Sequence, residues 1–593
     1  MSDTTNKNSE KSGLKKKGTV PFSAPSSPVK PGFNRRRFLE CFAALGVSSA
    51  LLPGLPPVSL EEKEEITLKT IEEAEKIIGI KLTNEERKRI RGRLNRNLGI
   101  YKGIREKDLD NSVNCALVFN PVPPGMTFPD KKKRIKYGDV KVKKPAKLED
   151  VAFYSVLQLA KLIKKKQITS TELTKMYLSR LKRYDPTLKF VVNLTEELAL
   201  EQAKRADEEI KKGKYRGPLH GIPYGAKDLL SVKGYKTTWG AEPFKNQIID
   251  RNATVVERLE EEGAVLVAKL TLGALAQGDI WYGGRTRNPW NPKRGSSGSS
   301  AGPASATAAG CVGFSIGSET NGSIISPCNR CGVTGLRPTF GRISRYGAMA
   351  LSWSMDKIGP ICRTVEDCAV VFNAIYGPDG KDNTLIDLPF NWNPKIDVKK
   401  LRVGYFEKYF KRELRGKPKD KKRKASRQKE QRLSNRVLDV LKGLGLEIKP
   451  IDVDIQVLGT GFILSTESAA AFDDFTRSTR DDLMKKSSWP DTFRQRRFVP
   501  AVEFIQANRY RTLLIEQMNE VMKDFDVIIE VTHSNTTLTN LTGHPAVIVP
   551  CGFIDDQPVT IVFNGKLFGE AETLAVAKAY QDATNFHLKH PKL

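Results

Sequence analysis

Amphipathic helical segments alternate with short apolar runs along most of this chain, from about Leu148 onward. The segments 151–167 and 170–185 have apolar residues at helical spacing, and Ser170 is placed to cap the second helix. The apolar runs are 263–270, 401–406, 527–532 and 546–553. Short apolar runs between helices are typical of strands buried on both faces. We therefore predict an α/β fold, with a sheet that helices cover.

Residues 1–57 have the composition of a targeting segment. Residues 1–37 carry nine Lys or Arg against two acidic residues, and the run NRRRFLE at 34–40 resembles a twin-arginine export motif. A moderately apolar stretch follows at 41–58, but prolines interrupt it, so it falls short of a membrane span. We expect a precursor that uses the twin-arginine export machinery. The mature protein should be periplasmic or extracellular, without a membrane span.

The next segment, 58–147, is expected to be a helical extension followed by a linker. Apolar residues recur at helical spacing over 58–110, and Thr83 with Glu86 three residues later forms a capping-box pattern. Residues 121–147 contain a Pro-Val-Pro-Pro-Gly turn and a basic run, which favour a covering loop. The main domain then spans 148–593.

The net charge of +30 calls for an explanation, and much of it is local. Residues 411–432 carry twelve basic residues against three acidic ones, between the run at 401–406 and a helix expected from Leu433. A basic run can bind polyanions by releasing counterions. However, aromatic residues that could stack on bases are missing from 417–431. We interpret it as a solvated surface insertion and expect no nucleic acid as a partner.

Metal chemistry is not expected either. The chain has five histidines, and none of them forms a spaced pair typical of zinc sites. Cys328 and Cys331 have CxxC spacing without a second pair at zinc-ribbon distance.

The strongest chemical signal is a serine- and glycine-rich segment, 295–323, with a lysine upstream at Lys227. Small residues allow backbone amides to approach a reacting carbonyl closely. Two serines and one lysine can perform acyl transfer without histidine or metal. Gly298–Gly302 also fits the G-x-S-x-G pattern of α/β-hydrolases, but that motif needs a preceding apolar strand, and two prolines lie there instead.

Five sequence blocks in order resemble the amidase signature family over roughly 148–590. They are 221–241, 287–310, 317–347, 540–553 and 569–584. The resemblance implies a large central mixed β-sheet with helices on both faces, and a small-molecule amide as substrate without a cofactor. It places the nucleophile at Ser323, the bridging serine at Ser299 and the general base at Lys227. Ser299 is chosen among neighbouring serines by the family's spacing from Ser323, and in the family this serine follows a cis peptide bond.

The same resemblance assigns the oxyanion hole to backbone N–H groups of Thr320, Asn321, Gly322 and Ser323. Where the family more often has Asp-x-Gly-Gly-Ser, this chain has Glu319-Thr-Asn321-Gly-Ser, so an asparagine replaces a glycine. Asparagine tolerates left-handed backbone better than most residues. The change should therefore alter the shape of the pocket and leave the turn intact.

A lysine base must be mostly neutral to accept a proton, and its ordinary pKa is about 10.4. Lowering that pKa by three units requires about 4 kcal/mol of differential interaction, which burial can supply. The run 300–310 should form a helix with Ser300 at its cap and Pro303 in its first turn. The positive end of that helix would face the site and favour the neutral amine.

The sequence thus predicts an exported amidohydrolase that cleaves carboxamides through an acyl-enzyme on Ser323. Two alternatives stay open. One is an amidotransferase component resembling the glutaminase of tRNA-dependent amidation, and the other is a non-catalytic polyanion-binding protein on the same fold. The sequence leaves the substrate and the oligomeric state undetermined.

Overall fold

The computed structural model describes residues 66–107, 109–411, 421–457 and 461–593. Two compact units are recognised, with the boundary between Lys107 and Asp108. The targeting segment predicted at 1–57 lies outside the described residues, as do 412–420 of the basic run. Among the helices of the described ranges, none is both long and apolar enough to cross a membrane.

Within its described residues, 66–107, the first unit contains two helices, α1 (Leu68–Ile78) and α2 (Asn84–Arg105). The predicted capping box is present, because the Thr83 hydroxyl accepts the Glu86 N–H and the Glu86 carboxylate accepts the Thr83 N–H. The two helices are also joined by Arg87, whose guanidinium pairs with the Glu75 carboxylate at 2.7 Å. The helical part of the extension is therefore confirmed over these residues.

The second unit is built on a mixed sheet, which has eleven strands within the described residues. The strands are β1 (Val191–Leu194), β2 (Pro223–Lys227), β3 (Val265–Leu270), β8 (Phe314–Glu319), β9 (Thr334–Arg337), β10 (Lys357–Cys362), β11 (Val403–Phe406), β12 (Ile448–Ile451), β13 (Val527–Val531), β14 (Ala546–Ile554) and β15 (Gln557–Gly565). Their order in the sheet is β1-β3-β2-β8-β10-β9-β14-β15-β13-β11-β12. Two small hairpins stand apart, β4–β5 (Ile280–Trp281, Gly284–Arg285) and β6–β7 (Arg287–Asn288, Asn291–Gly295). The apolar runs predicted as strands are all confirmed.

The helices of this unit lie before, between and after the strands along the chain. They are α3 (Val156–Lys164), α4 (Ser170–Leu188), α5 (Glu196–Lys211), α6 (Thr254–Glu261), α7 (Ala301–Ala308), α8 (Ile325–Cys331), α9 (Val365–Ile375), α10 (Glu407–Phe410), α11 (Lys421–Gly443), α12 (Phe462–Ala471), α13 (Asp473–Arg477), α14 (Trp489–Arg496), α15 (Ala501–Asp524), α16 (Thr536–Leu541) and α17 (Glu570–Thr584).

Strand β14 illustrates how both faces of the sheet are covered. Successive side chains of a strand point to opposite faces. Val547 and Val549 belong to the cluster that contains Leu574 of α17. The alternate residue Ile548 packs in a second cluster, with Ala304 of α7. The predicted α/β fold with helices on both faces is confirmed.

Three predicted helix boundaries were wrong, and local hydrogen bonds explain two of them. The helix expected over 151–167 is α3, which begins after Ser155 because the Ser155 hydroxyl accepts the Gln158 N–H. Helix α4 is capped by Thr169, whose hydroxyl accepts the Glu172 N–H, while the Ser170 hydroxyl donates to the Gly221 carbonyl.

The third boundary concerns the basic run. The helix expected from Leu433 begins at Lys421, so the second half of the run belongs to α11, and most side chains of its residues 425–432 are exposed. Lysine and arginine are good helix formers, which explains why the helix extends into this part of the run.

Candidate active site

Two parallel strands bring the lysine and the serines of the predicted site together. Lys227 is the last residue of β2, and Ser318 lies near the end of the adjacent parallel strand β8. The carboxyl ends of parallel strands meet at one edge of a sheet, where α/β proteins commonly bind ligands. Ser299 and Ser300 immediately precede α7, which packs on β8 and β2.

Lys227 has no exposed surface, and oxygen atoms surround its amine. Its Nζ lies 2.8 Å from Ser299 Oγ, 3.0 Å from Ser300 Oγ, 2.9 Å from Ser318 Oγ and 3.2 Å from the Ser318 carbonyl oxygen. The structure therefore joins Lys227 directly to Ser299, as predicted.

The hydrogen-bond directions indicate which hydroxyls can give a proton to Lys227. The Ser300 hydroxyl donates to the Ser318 carbonyl at 3.0 Å and accepts the Ser318 N–H at 3.1 Å. Its contact with Lys227 must then be one in which the amine donates. A neutral amine has two N–H groups and one lone pair. One N–H donates to Ser300, and the Ser318 carbonyl oxygen at 3.2 Å can accept the other. The lone pair can then accept a proton from the hydroxyl of Ser299 or Ser318.

Burial lowers the pKa of Lys227 to about 7, although the charges of Asp356 and Glu319 act in the opposite direction. A large fraction of the side chain is thus neutral near pH 7, which a proton acceptor requires.

Other buried lysines in the described part of the chain have different partners. Lys269 lies 2.8 Å from the Asp228 carboxylate, and Lys357 donates to the Met355 carbonyl. Lys227 differs from both because three hydroxyls contact its amine. This is the arrangement expected of a base that exchanges protons with serines.

The loop that carries Ser299 is tightly packed. The peptide bond between Gly298 and Ser299 is cis. A Cβ atom at Gly298 would lie 1.9 Å from the Gly278 carbonyl oxygen, so only glycine fits there. The Ser297 N–H donates to the Asp279 carboxylate at 3.1 Å, which ties this loop to the residues after β3.

The loop that carries the predicted nucleophile, Ser323, lies next to the loop that carries Ser299. The Ser323 carbonyl accepts the Ser300 N–H at 3.1 Å, so Ser323 lies beside the residue that follows Ser299. The side chain of Ser323 is half-buried. Gly322 has φ +88°, a conformation that L residues rarely adopt. The turn that was predicted around Gly322 is therefore present, with Asn321 exposed at its tip.

The carboxylate of Glu319 holds the loop that carries Ser323. Its buried carboxylate accepts the N–H groups of Ile324 and Ile325, at 2.8 and 3.0 Å, and pairs with Arg337 at 2.8 Å. The Asn540 side chain donates to the same carboxylate at 2.8 Å. Burial would raise the pKa of Glu319, but Arg337 and these donors lower it to about 2. The carboxylate is thus charged and fixes the start of α8 immediately after Ser323.

Asp356 holds the other end of the predicted oxyanion loop. Its carboxylate accepts the Thr320 hydroxyl at 2.6 Å and the N–H groups of Leu351 and Ser352 at 2.8 and 2.9 Å. Thr320 is therefore connected to the chain segment that leads into β10.

Sequence reasoning missed several of these residues. Ser300 was predicted as a helix cap; it holds the N-cap position of α7, but its hydroxyl makes no capping hydrogen bond and binds Lys227 and Ser318 instead. Ser318, Glu319 and Asp356 were given no role. The first two lie inside the recognised serine block, but their side-chain directions follow from strand pairing.

Comparison with known proteins now identifies the family. The sequence model of the amidase family matches residues 172–536. The chain belongs to the amidase signature family. The A subunit of glutamyl-tRNA(Gln) amidotransferase from Dehalococcoides mccartyi is 32% identical over 502 residues, which cover 75% of this chain and 100% of that protein. Its counterpart from Thermoanaerobacter pseudethanolicus is 33% identical, covering 73% and 97%.

Solved amidase structures agree with this assignment. The peptide amidase from Stenotrophomonas maltophilia has a TM-score of 0.64 and 26% identity, covering 74% of this chain and 98% of that one. The chain is thus an amidase-family enzyme, and about three quarters of it matches nearly the whole length of both kinds of relative.

The Glu319 anchor generates a stability prediction. Replacing Glu319 with alanine leaves the buried Arg337 guanidinium without its carboxylate, which should destabilise the protein by about 3 kcal/mol. Chemical denaturation followed by circular dichroism measures this change. The matched control is Glu520→Ala, since the Glu520–Lys523 pair is mostly exposed and should contribute less than about 0.5 kcal/mol. Equal effects of the two substitutions would contradict an anchoring role.

Proposed function

We propose that this amidase cleaves a carboxamide through an acyl-enzyme on Ser323, with Ser299 and Lys227 carrying the proton. The observation that supports this most directly is the buried Lys227 amine, with a pKa lowered to about 7, at 2.8 Å from the Ser299 hydroxyl. A serine hydroxyl becomes a good nucleophile only when a base removes its proton.

The proposed reaction has two halves. Neutral Lys227 takes the proton of Ser299, Ser299 takes the proton of Ser323, and the Ser323 oxygen forms a bond to the carboxamide carbon. The N–H groups of residues 320–323 stabilise the resulting oxyanion. The C–N bond then breaks, and the proton returns through Ser299 to the leaving nitrogen. Water attacks the ester in the second half, which releases the acid and restores Ser323.

Glutamine is the substrate that the comparisons favour. The curated relatives named above, which this chain covers almost completely, are A subunits of glutamyl-tRNA(Gln) amidotransferase. The first candidate is therefore a glutaminase-type component that releases ammonia from glutamine for a partner protein.

A free amidohydrolase is the second candidate. The likeness to peptide amidase supports it, and so does the export motif predicted at 34–40, which lies outside the described residues. A purely polyanion-binding protein is the weaker interpretation, because the Lys227 and Ser299 contacts are intact.

Substitution of the nucleophile tests the shared chemistry. Ser323→Ala should lower kcat by at least about a thousandfold, since acyl transfer loses its attacking atom. It should also prevent labelling by a serine-directed phosphonate, as read by mass spectrometry. The control is Ser326→Ala, three residues further along the chain, which should keep both activity and labelling. Full activity in Ser323→Ala would refute the proposal.

The pH dependence tests the base. Only neutral Lys227 can accept a proton, so kcat/KM should rise with pH and level off above the pKa of about 7. Below that value it should fall about tenfold for each pH unit. Rates measured between pH 5 and 9, over a range in which circular dichroism stays constant, would show this limb. A flat profile would exclude Lys227 as the base.

The two candidates differ in their substrates and in their need for a partner. The purified chain should release ammonia from glutamine if the first candidate holds, and the rate should rise when an amidotransferase partner is added. If it instead hydrolyses amino acid amides efficiently by itself and leaves glutamine intact, the second candidate holds. Ammonia release, measured with glutamate dehydrogenase, distinguishes them.

A further inference from the structure

An asparagine from outside the region matched by the family model enters the cavity next to the catalytic residues. Residues 109–147 form no helix or strand. Within this segment, the Asn111 side-chain amide donates to the Ala350 carbonyl at 2.8 Å, and the Ala350 N–H donates to the Asn111 side-chain oxygen at 2.7 Å. One carboxamide thus satisfies both backbone groups of a single residue.

The cavity that Asn111 enters reaches the proposed catalytic residues. Its lining includes Asn111 and Asn114 on one side and Ser318, Thr320 and Asp356 on the other. Ser318 contacts Lys227, and Thr320 begins the proposed oxyanion loop. The remaining volume is about 50 Å³, whereas sites for small molecules usually measure about 300–1,000 Å³. Asn111 and Asn114 therefore form part of the wall of a narrow cavity beside the proposed catalytic residues.

Ala350 is closely connected to the oxyanion loop. The next two residues, Leu351 and Ser352, donate their N–H groups to the carboxylate of Asp356. The same carboxylate accepts the Thr320 hydroxyl at 2.6 Å. The peptide groups of Ala350 thus lie in the wall of the reaction site.

The Asn111 side chain is chemically a primary carboxamide, the group that the proposed reaction cleaves. We propose that the N–H and C=O of Ala350 form a binding subsite for a primary carboxamide of the substrate, and that Asn111 is an internal ligand that competes for it. This inference rests on the proposed function for its substrate class. It adds Ala350 as the residue that binds the amide, and Asn111 as the residue that must leave the subsite before a substrate binds there.

Asn111 is placed so that it can exchange with a substrate. It is half-buried, and the three residues that follow it are exposed. Its third contact, from the side-chain amide to the Ala471 carbonyl, is long at 3.4 Å. The chain is held separately at Phe119, which packs edge-on against Phe340 at 5.0 Å and lies 3.5 Å from the Arg511 guanidinium. The contacts of Asn111 are thus separate from those that hold the chain at Phe119.

Binding of propionamide to Ser323→Ala protein tests the inference, because this background carries out no turnover. Adding Asn111→Ala removes the internal competitor. The two hydrogen bonds lost correspond to about a tenfold lower Kd for propionamide, measured by ligand-detected NMR titration. Asn111→Asp should also tighten binding, since its carboxylate cannot donate to the Ala350 carbonyl. Asn114→Ala is the control, because Asn114 lines the same cavity, and it should leave the Kd within about twofold.

The outcomes separate this inference from the proposed function. A Kd that is unchanged or higher in both Asn111 variants would overturn the subsite, and so would equal tightening in Asn114→Ala. In enzyme with Ser323 intact, Asn111→Ala should lower KM about tenfold and leave kcat unchanged. If that enzyme cleaves no amide at all, the proposed function fails, but the propionamide titrations still decide the subsite.

Discussion

The burial of one amine among serine oxygens is the interaction on which the proposed chemistry of this amidase depends. In water a lysine is almost entirely charged at neutral pH. Removing Lys227 from solvent favours the neutral form, and the oxygens of Ser299, Ser300 and Ser318 supply the hydrogen bonds that a buried amine still needs. The result is an amine with a lowered pKa within reach of a hydroxyl, which the proposed mechanism uses as its base.

The surrounding structure keeps these groups in place. The parallel pairing of β2 with β8 sets Lys227 next to Ser318. The charged Glu319 carboxylate fixes the turn after Ser323 through two backbone N–H groups. Buried charges are costly unless they are paired, and Arg337 provides the partner. A buried ion pair thus holds the chain that immediately follows Ser323.

The geometry of the site supports a type of reaction, whereas the relatives support a choice of substrate. The hydrogen-bond network bears on acyl transfer in general, because it concerns only the proton path and the nucleophile. Similarity to amidotransferase A subunits and to peptide amidase bears on which carboxamide is used. Asn111 adds a feature of this chain itself, since it presents a carboxamide to the wall of the reaction site.

The sequence by itself determined the fold class and four strands of the eleven-stranded sheet, because periodicity is a local property. The three proposed catalytic positions came from ordered motif blocks that resemble the amidase signature family. Helix starts were less predictable. Thr169 caps α4 through a hydrogen bond that the neighbouring Ser170 could also have made, and Ser155 caps α3 inside the predicted helix. Only the tertiary structure decided that Ser300 and Ser318 hold Lys227, that Glu319 pairs with Arg337 and that Asn111 reaches Ala350. These contacts join residues 18 to 239 positions apart, so their formation depends on how the strands pair and how the chain crosses the domain.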